Sequence, residues 1–185
     1  MARTPSNMLA LGTEAPPFRV PNVLKNDTPV SFQDCKGQNG TVVAFICNHC
    51  PFVIHIIKEF SQLALTYGSQ GFGFVAINSN DIVNYPQDAP EHMITFAHKH
   101  NFSFPYLFDE SQEVAKAYDA ACTPDFYVFD VNDKLAYRGQ MDDSRPGNGV
   151  NVTGHDLRAA LDALSAKKSP NTNQKPSIGC NIKWK

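Results

Sequence analysis

The chain has few charged residues and no excess of either sign. Lys and Arg together number 16, Asp and Glu number 18, and charged residues make up 18% of the 185 residues. Proteins that bind nucleic acids usually carry a basic patch, and none is visible in this sequence. We therefore expect no nucleic-acid partner.

Long apolar segments are missing as well. The longest uninterrupted apolar run, Val42 to Cys47, is far shorter than the roughly 20 residues of a membrane-spanning helix. Residues 1–5 contain no apolar stretch of the kind found in secretory signals. We therefore expect a cytoplasmic protein with no membrane contact.

Cysteine is scarce and odd in number, which argues against complete internal pairing. Disulfides do not normally staple proteins of a reducing compartment, where closely spaced cysteines are more often catalytic or metal-binding. Isolated cysteines are commonly buried structural residues, and we expect this of two of the five, Cys35 and Cys122. The five cysteines are Cys35, Cys47, Cys50, Cys122 and Cys180.

Hydrophobic periodicity predicts an α/β fold. The β-branched and aromatic run Thr41–Ile46 is typical of a strand buried on both faces. Apolar residues then recur at helical spacing from Val53 to Tyr67, and Phe72–Asn78 predicts a second buried strand. This strand–helix–strand unit implies parallel pairing, and a hairpin around Asn132-Asp133 adds antiparallel strands. We expect a central mixed sheet flanked by helices.

Three shorter segments have interpretable patterns. A predicted strand over Phe18–Val23 is interrupted by Pro21, which favours a place at the sheet edge. The run Thr153-Gly154-His155-Asp156 resembles a capping box before a helix. Residues 1–14 are weakly patterned, so we expect them to be loosely ordered.

The end of the sequence changes in composition. A polar, proline-containing linker over Lys167–Ser177 is followed by a short segment that contains Ile178, Ile182 and Trp184. Because such apolar residues are not expected in a flexible, solvated tail, we expect this segment to dock on another surface. We therefore divide the chain into a domain over residues 1–167 and a linker with a docking tail, carrying Cys180, over residues 168–185.

The pair Cys47-x-x-Cys50 is the most specific chemical signal, because it lies at the junction between the predicted strand and helix. A helix N-terminus carries about half a positive charge and unpaired N–H groups, which favour the thiolate that attacks disulfides. If Pro51 is the first helical residue, Cys50 is the N-cap and the attacking sulfur, with Cys47 as its resolving partner. If the helix begins earlier, the roles are reversed.

Two neighbouring features extend this constellation. A protonated His49 would further favour a thiolate at Cys50, and the alternative is a polar loop residue that faces water. The linker of about ten residues, at roughly 3.3 Å each, reaches some 33 Å, so Cys180 can return to the pair. It would then resolve or guard the active disulfide, or it would merely pack as a small apolar side chain.

Taken together, these motifs resemble the thioredoxin-like superfamily. The strand, the Cys47-x-x-Cys50 pair with its helix, and a later Thr123-Pro124 are similar to its active-site elements. The runs Cys-Asn-His-Cys-Pro-Phe and Ile-Gly-Cys-x-Ile-Lys-Trp resemble a bacterial group of the redoxin branch, which includes alkyl hydroperoxide reductase and thiol-specific antioxidant proteins. The resemblance spans Leu9 to Lys185.

The resemblance implies a thioredoxin-like fold and a cis bond between Thr123 and Pro124. Its extended backbone edge can hydrogen-bond a peptide substrate, in a groove that would comprise Asn48, His49, Pro51, Thr123 and Pro124. Thioredoxins carry a buried Asp in the strand before the motif. The predicted strand here contains none, so another group must take up and release the proton of the exchange reaction. Unlike peroxiredoxins, the sequence has no Arg near Thr123-Pro124, and Arg138 and Arg145 are the nearest candidates.

The sequence therefore predicts a thiol–disulfide oxidoreductase. Cys47 and Cys50 would exchange electrons with a protein or small-molecule disulfide, and an external thiol reductant would regenerate them. One alternative is a peroxiredoxin-like thiol peroxidase, in which Cys50 attacks a hydroperoxide and Cys47 or Cys180 resolves the sulfenic acid. The other is a non-catalytic module that senses redox state or binds a metal. Because the cysteines carry the electrons and a structural zinc site needs four ligands, we expect no cofactor and no metal.

Overall fold

A seven-stranded mixed sheet forms the centre of the protein, in a computed structural model that describes residues 3–185. The strands are β1 (Arg3–Pro5), β2 (Arg19–Asn22), β3 (Thr28–Ser31), β4 (Gly40–Phe45), β5 (Phe72–Asn78), β6 (Tyr106–Phe108), β7 (Cys122–Thr123), β8 (Asp125–Phe129), β9 (Leu135–Gly139) and β10 (Ile178–Asn181). The helices are α1 (Phe32–Cys35), α2 (Pro51–Gly68), α3 (Pro90–Lys99), α4 (Glu113–Ala117) and α5 (His155–Ser165).

The strand order of the large sheet is β3-β2-β6-β5-β4-β8-β9. β4 runs parallel to β5, and β5 runs parallel to β6, whereas β8 and β9 are antiparallel to their neighbours. The predicted α/β class, with its mixed sheet flanked by helices, is confirmed. Every residue of β4 is buried, because this strand lies in the interior of the sheet with helices on both faces.

Two apolar cores cover the two faces of the sheet. Successive side chains of a strand point to opposite faces, and β4 accordingly places Val42 and Ala44 in one core and Val43 and Phe45 in the other. The first core also contains the buried sides of α2, α3 and α5. The second contains those of α1 and α4. Among the described residues, no helix is both long and apolar enough to cross a membrane.

A second, three-stranded sheet has the order β1-β10-β7. Arg3 pairs with Cys180, and Cys180 pairs with Thr123, all in antiparallel register. The expectation of a loosely ordered N-terminal segment is therefore wrong for residues 3–5, while Met1 and Ala2 lie outside the described residues. In the tail, Ile182 is buried, whereas Trp184 is 43% exposed.

Two local predictions are wrong for identifiable reasons. β2 is not an edge strand, because it lies between β3 and β6, and its Pro21 pairs with Pro29 of the actual edge strand. The expected capping box is absent from α5, since its N-cap is Gly154 in a left-handed conformation without a side-chain cap. The carboxylate of Asp142 instead accepts hydrogen bonds from the N–H groups of Thr153 and Gly154, at 2.7 and 2.6 Å.

Candidate active site

The Cys-x-x-Cys motif lies between the end of β4 and the start of α2. Pro51 is the first helical residue, and Cys50 is the N-cap in an extended conformation with φ −69° and ψ 122°. Proline is favoured at this position because its missing N–H is not needed there. Of the two arrangements that the sequence left open, the structure therefore has the one in which Cys50 is nearest the positive end of the helix dipole.

Thr123 contacts both sulfur atoms of the motif. Its carbonyl oxygen lies 3.1 Å from Cys50 Sγ, and its Oγ1 lies 3.4 Å from Cys47 Sγ. The peptide bond between Thr123 and Pro124 is cis. Two of the predicted groove residues, Thr123 and Pro124, thus lie beside the cysteine pair.

The tail brings a third sulfur to the same place. β10 pairs with β7 so that Cys180 lies opposite Thr123, and both the thiol and the backbone N–H of Cys180 donate to the Cys50 sulfur. The side chains of Cys47, Cys50 and Cys180 are 1%, 0% and 1% exposed. Cys180, which is distant in sequence, therefore joins Cys47 and Cys50 in one buried cluster.

The surroundings of Cys50 favour its thiolate. The hydrogen bond donated by the Cys47 thiol lowers the pKa of Cys50 to about 5. Burial opposes this shift, while the thiol and N–H of Cys180 and the N–H of Val53 support it. Val53 lies in the first turn of α2 and its N–H does not complete a capping hydrogen bond to the sulfur, so we assign it an electrostatic contribution. A Cys50 thiolate at neutral pH is the expected result.

The surroundings of Cys47 have the opposite effect. Burial raises the pKa of Cys47 well above its ordinary value, and the hydrogen bond to Cys50 and the charge of Asp88 act in the same direction. Burial also raises the pKa of Cys180 to about 12, with Cys50 adding to the shift. Both partners of Cys50 are therefore protonated thiols that donate hydrogen bonds to a central thiolate.

Asp88 organises the motif loop, and no sequence pattern indicates it. The fully buried carboxylate accepts a hydrogen bond from the Asn48 N–H at 2.8 Å and lies 2.6 Å from His49 Nδ1. His49 Nδ1 is 4.0 Å from Cys47 Sγ, and its ring stacks on Tyr85. The structure thus places His49 against Asp88 and Cys47, neither beside the Cys50 sulfur nor in open solvent.

Comparison with known proteins identifies the family. The sequence model of the redoxin family matches residues 10–157. The chain belongs to the redoxin family. Among proteins with curated functions, no sequence matches this redoxin.

Two solved structures resemble the redoxin over nearly its whole length. An uncharacterized conserved protein from Geobacillus kaustophilus is 56% identical, with a TM-score of 0.98, covering 100% of this chain and 97% of the other. A hypothetical protein from Sinorhizobium meliloti 1021 is 47% identical, with a TM-score of 0.95 and 98% of each chain covered.

A more distant structure identifies the fold. It is a secreted disulfide oxidoreductase from Mycobacterium tuberculosis, which is 18% identical, with a TM-score of 0.60, covering 79% of this chain and 95% of the other. The redoxin therefore has the predicted thioredoxin-like fold. Its family and fold support a thioredoxin-like redox function.

The cysteine cluster also contains potential metal ligands. The donor atoms of Cys47, His49 and Asp88 lie within 4.8 Å of one another. However, Asp88 is already engaged by His49, by the Asn48 N–H and by Asn80 Nδ2 at 2.8 Å. An ion at this point would have to break the contact between His49 and Asp88, so we interpret the group as a hydrogen-bonded pair.

The two arginines considered for activating a peroxide, Arg138 and Arg145, make their contacts elsewhere. Arg138 is fully buried with Asp125 and Tyr127, and Tyr127 belongs to the core on the opposite face of the sheet from Cys50. The guanidinium of Arg145 is bonded to the Gln140 side chain and to the carbonyl oxygens of residues 142 and 144. Neither contact set includes one of the three clustered cysteines.

Proposed function

We propose that this redoxin is a thiol–disulfide oxidoreductase in which Cys50 is the nucleophile and has two resolving partners, Cys47 and Cys180. One observation carries the proposal: the Cys50 sulfur, with its lowered pKa, accepts hydrogen bonds from both of the other thiols. Asn48, His49, Pro51, Thr123 and Pro124 would surround the reacting sulfurs.

In the first step, the Cys50 thiolate attacks one sulfur of a disulfide, R–S–S–R. A bond forms between Cys50 Sγ and that sulfur, the S–S bond of the substrate breaks, and the first product leaves as a thiolate, RS⁻. The attack removes the negative charge from Cys50, which until then raised the pKa of both resolving thiols.

In the second step, one resolving thiol releases its proton to solvent and attacks Cys50 Sγ. The mixed disulfide breaks, the second RS⁻ leaves, and an internal disulfide forms. Loss of the charge on Cys50 lowers the pKa of both resolving thiols, so the first step itself prepares the second. The substrate gains two electrons, and an external thiol reductant then returns the internal disulfide to two thiols.

The test is a single turnover of the fully reduced chain with one equivalent of oxidised glutathione. We expect two protein thiols to be lost per substrate reduced, and peptide mapping by mass spectrometry to find Cys50 in every internal disulfide. Thiol loss no faster than that of free cysteine, or an internal disulfide without Cys50, would overturn the proposal.

A thiol peroxidase is the second candidate, because a buried thiolate with an adjacent resolving thiol also suits attack on a hydroperoxide. The Cys50 thiolate would attack one oxygen of hydrogen peroxide, the O–O bond would break with hydroxide leaving, and Cys50 would become a sulfenic acid. Cys47 or Cys180 would then convert the sulfenic acid to a disulfide with loss of water. Dilute hydrogen peroxide in place of glutathione separates the two functions. Oxidation of Cys50 far faster than that of free cysteine would favour the peroxidase.

A further inference from the structure

The position beside the cis-proline that could bind an extended peptide is already filled. β10 pairs with β7 through Cys180 opposite Thr123 and Asn181 opposite Cys122. The backbone N–H of Ile182 continues this contact to the Ala121 carbonyl oxygen at 3.1 Å. The other edge of β10 is covered by β1, so the edge of β7 that β10 occupies is not open to a peptide.

The fit between β10 and β7 depends on a glycine. A Cβ atom added at Gly179 would lie 1.9 Å from the carbonyl oxygen of Thr123, a distance that backbone atoms cannot tolerate. Ile178, next to it, lines a small cavity with Pro124 and Phe52. The cavity volume is about 20 Å³, which is room for roughly one water molecule.

The far end of the tail is anchored as well. The Lys183 N–H donates to Asn80 Oδ1 at 2.9 Å, and the Lys183 carbonyl oxygen accepts from the Asp81 N–H at 2.8 Å. Gln112 Nε2 donates to the same carbonyl oxygen at 2.8 Å. Residues on both sides of Cys180 therefore hold the strand in place, and an entering peptide would have to break these contacts.

We propose that the substrates of this redoxin are small-molecule disulfides, and that β10, through Gly179, excludes extended protein segments from the cysteine cluster. The inference rests on the proposed function and narrows its substrate class. Cys50 is buried, so any disulfide needs an opening to its Sγ atom. A small disulfide needs that opening alone, whereas a protein segment also needs the strand edge that β10 occupies.

The experiment compares two oxidants on the reduced, full-length chain, oxidised glutathione and insulin, with each rate divided by that of free cysteine. We expect glutathione to oxidise the wild type and insulin to react at least about tenfold more slowly on this scale. Gly179→Ala should displace β10 and raise the insulin rate about tenfold or more, whereas the glutathione rate should not rise, because the same displacement moves Cys180 away from Cys50.

Gly68→Ala is the matched control, because it adds the same methyl group where nothing lies within 4 Å. Should Gly179→Ala fail to fold, Ile182→Ala loosens the tail from its buried anchor instead. An insulin rate in the wild type equal to the glutathione rate would overturn the inference, as would unchanged insulin rates in both tail variants. Failure of both oxidants would reject the proposed function itself.

Discussion

Cys47 and Cys50 are three residues apart and both are buried, but their surroundings have opposite electrostatic effects. Around Cys50, two thiols and the N–H of Cys180 donate toward the sulfur, and the N–H of Val53 adds a favourable electrostatic contribution. Around Cys47, the buried Asp88 carboxylate and a Cys50 thiolate place negative charge near the sulfur. Burial alone disfavours both thiolates, so the donors and charges around each sulfur decide which of the two favours its thiolate.

The comparison also shows that proximity to a helix end explains only part of the difference. The largest cause of the lowered pKa of Cys50 is the hydrogen bond from the Cys47 thiol, and another is the Cys180 thiol from the tail. A cysteine at the same helix terminus without these thiols would keep the dipole and lose two direct donors. The cluster therefore acts as a unit.

Replacing each motif cysteine by serine should give the largest contrast. We expect Cys50→Ser to slow single-turnover reduction of glutathione disulfide by about 10³-fold or more, because the nucleophile is removed. Cys47→Ser should still oxidise, through a disulfide between Cys50 and Cys180 that peptide mapping identifies. Equal loss of activity in the two variants would contradict the assignment.

A smaller effect is expected in the pH dependence of cysteine alkylation. Only the thiolate reacts with iodoacetamide, so the rate at Cys50 should rise with pH and reach half its maximum near pH 5. Cys180→Ala removes a donor, raises the pKa of Cys50 and moves this midpoint upward. Cys35→Ala, a buried cysteine with no role in the cluster, is the control. If Cys180→Ala left the midpoint unchanged, the tail thiol would make no contribution to the lowered pKa of Cys50.

Two substitutions that act on Cys47 should have the smallest effects, in opposite directions. In a Cys50→Ser background, Asp88→Asn removes a negative charge and should lower the pH at which Cys47 is alkylated. Thr123→Val removes the hydroxyl that favours the Cys47 thiolate and should raise that pH. Mass spectrometry locates the label, and a shift of the same sign in both variants would contradict the electrostatic explanation.

Much of the fold follows from local patterns. The buried strand β4, the helix α2 and the parallel strand β5 were predictable because their apolar residues recur at strand and helix spacing. The cap of α5 was not, because Asp142 reaches Thr153 and Gly154 from outside the segment. The same holds for β1, a strand of three residues in which Arg3 pairs with Cys180, 177 residues away in sequence.

The candidate site divides in the same way. The Cys-x-x-Cys spacing and Pro51 indicate redox chemistry at a helix N-terminus, and both are properties of adjacent residues. Asp88 has no such signal, because it meets the motif only after α2 and β5 have returned the chain to the end of the sheet. In the sequence, His49 is adjacent to Cys50 and is interpreted as its partner. In the folded chain it contacts Asp88, which is distant in sequence.

By itself, the sequence determined the α/β class, the Cys-x-x-Cys spacing on which the proposed thiol chemistry rests, and the presence of a third cysteine on an apolar tail, since these depend on residue type and local spacing. Only the tertiary structure supplied the grounds for proposing which sulfur is the nucleophile and what can reach it. Both depend on long-range contacts, the pairing of Cys180 with Thr123 and the charge of Asp88 beside Cys47. The pKa of a group and the pairing of a strand edge both depend on which residues are close in space, and folding determines which residues those are.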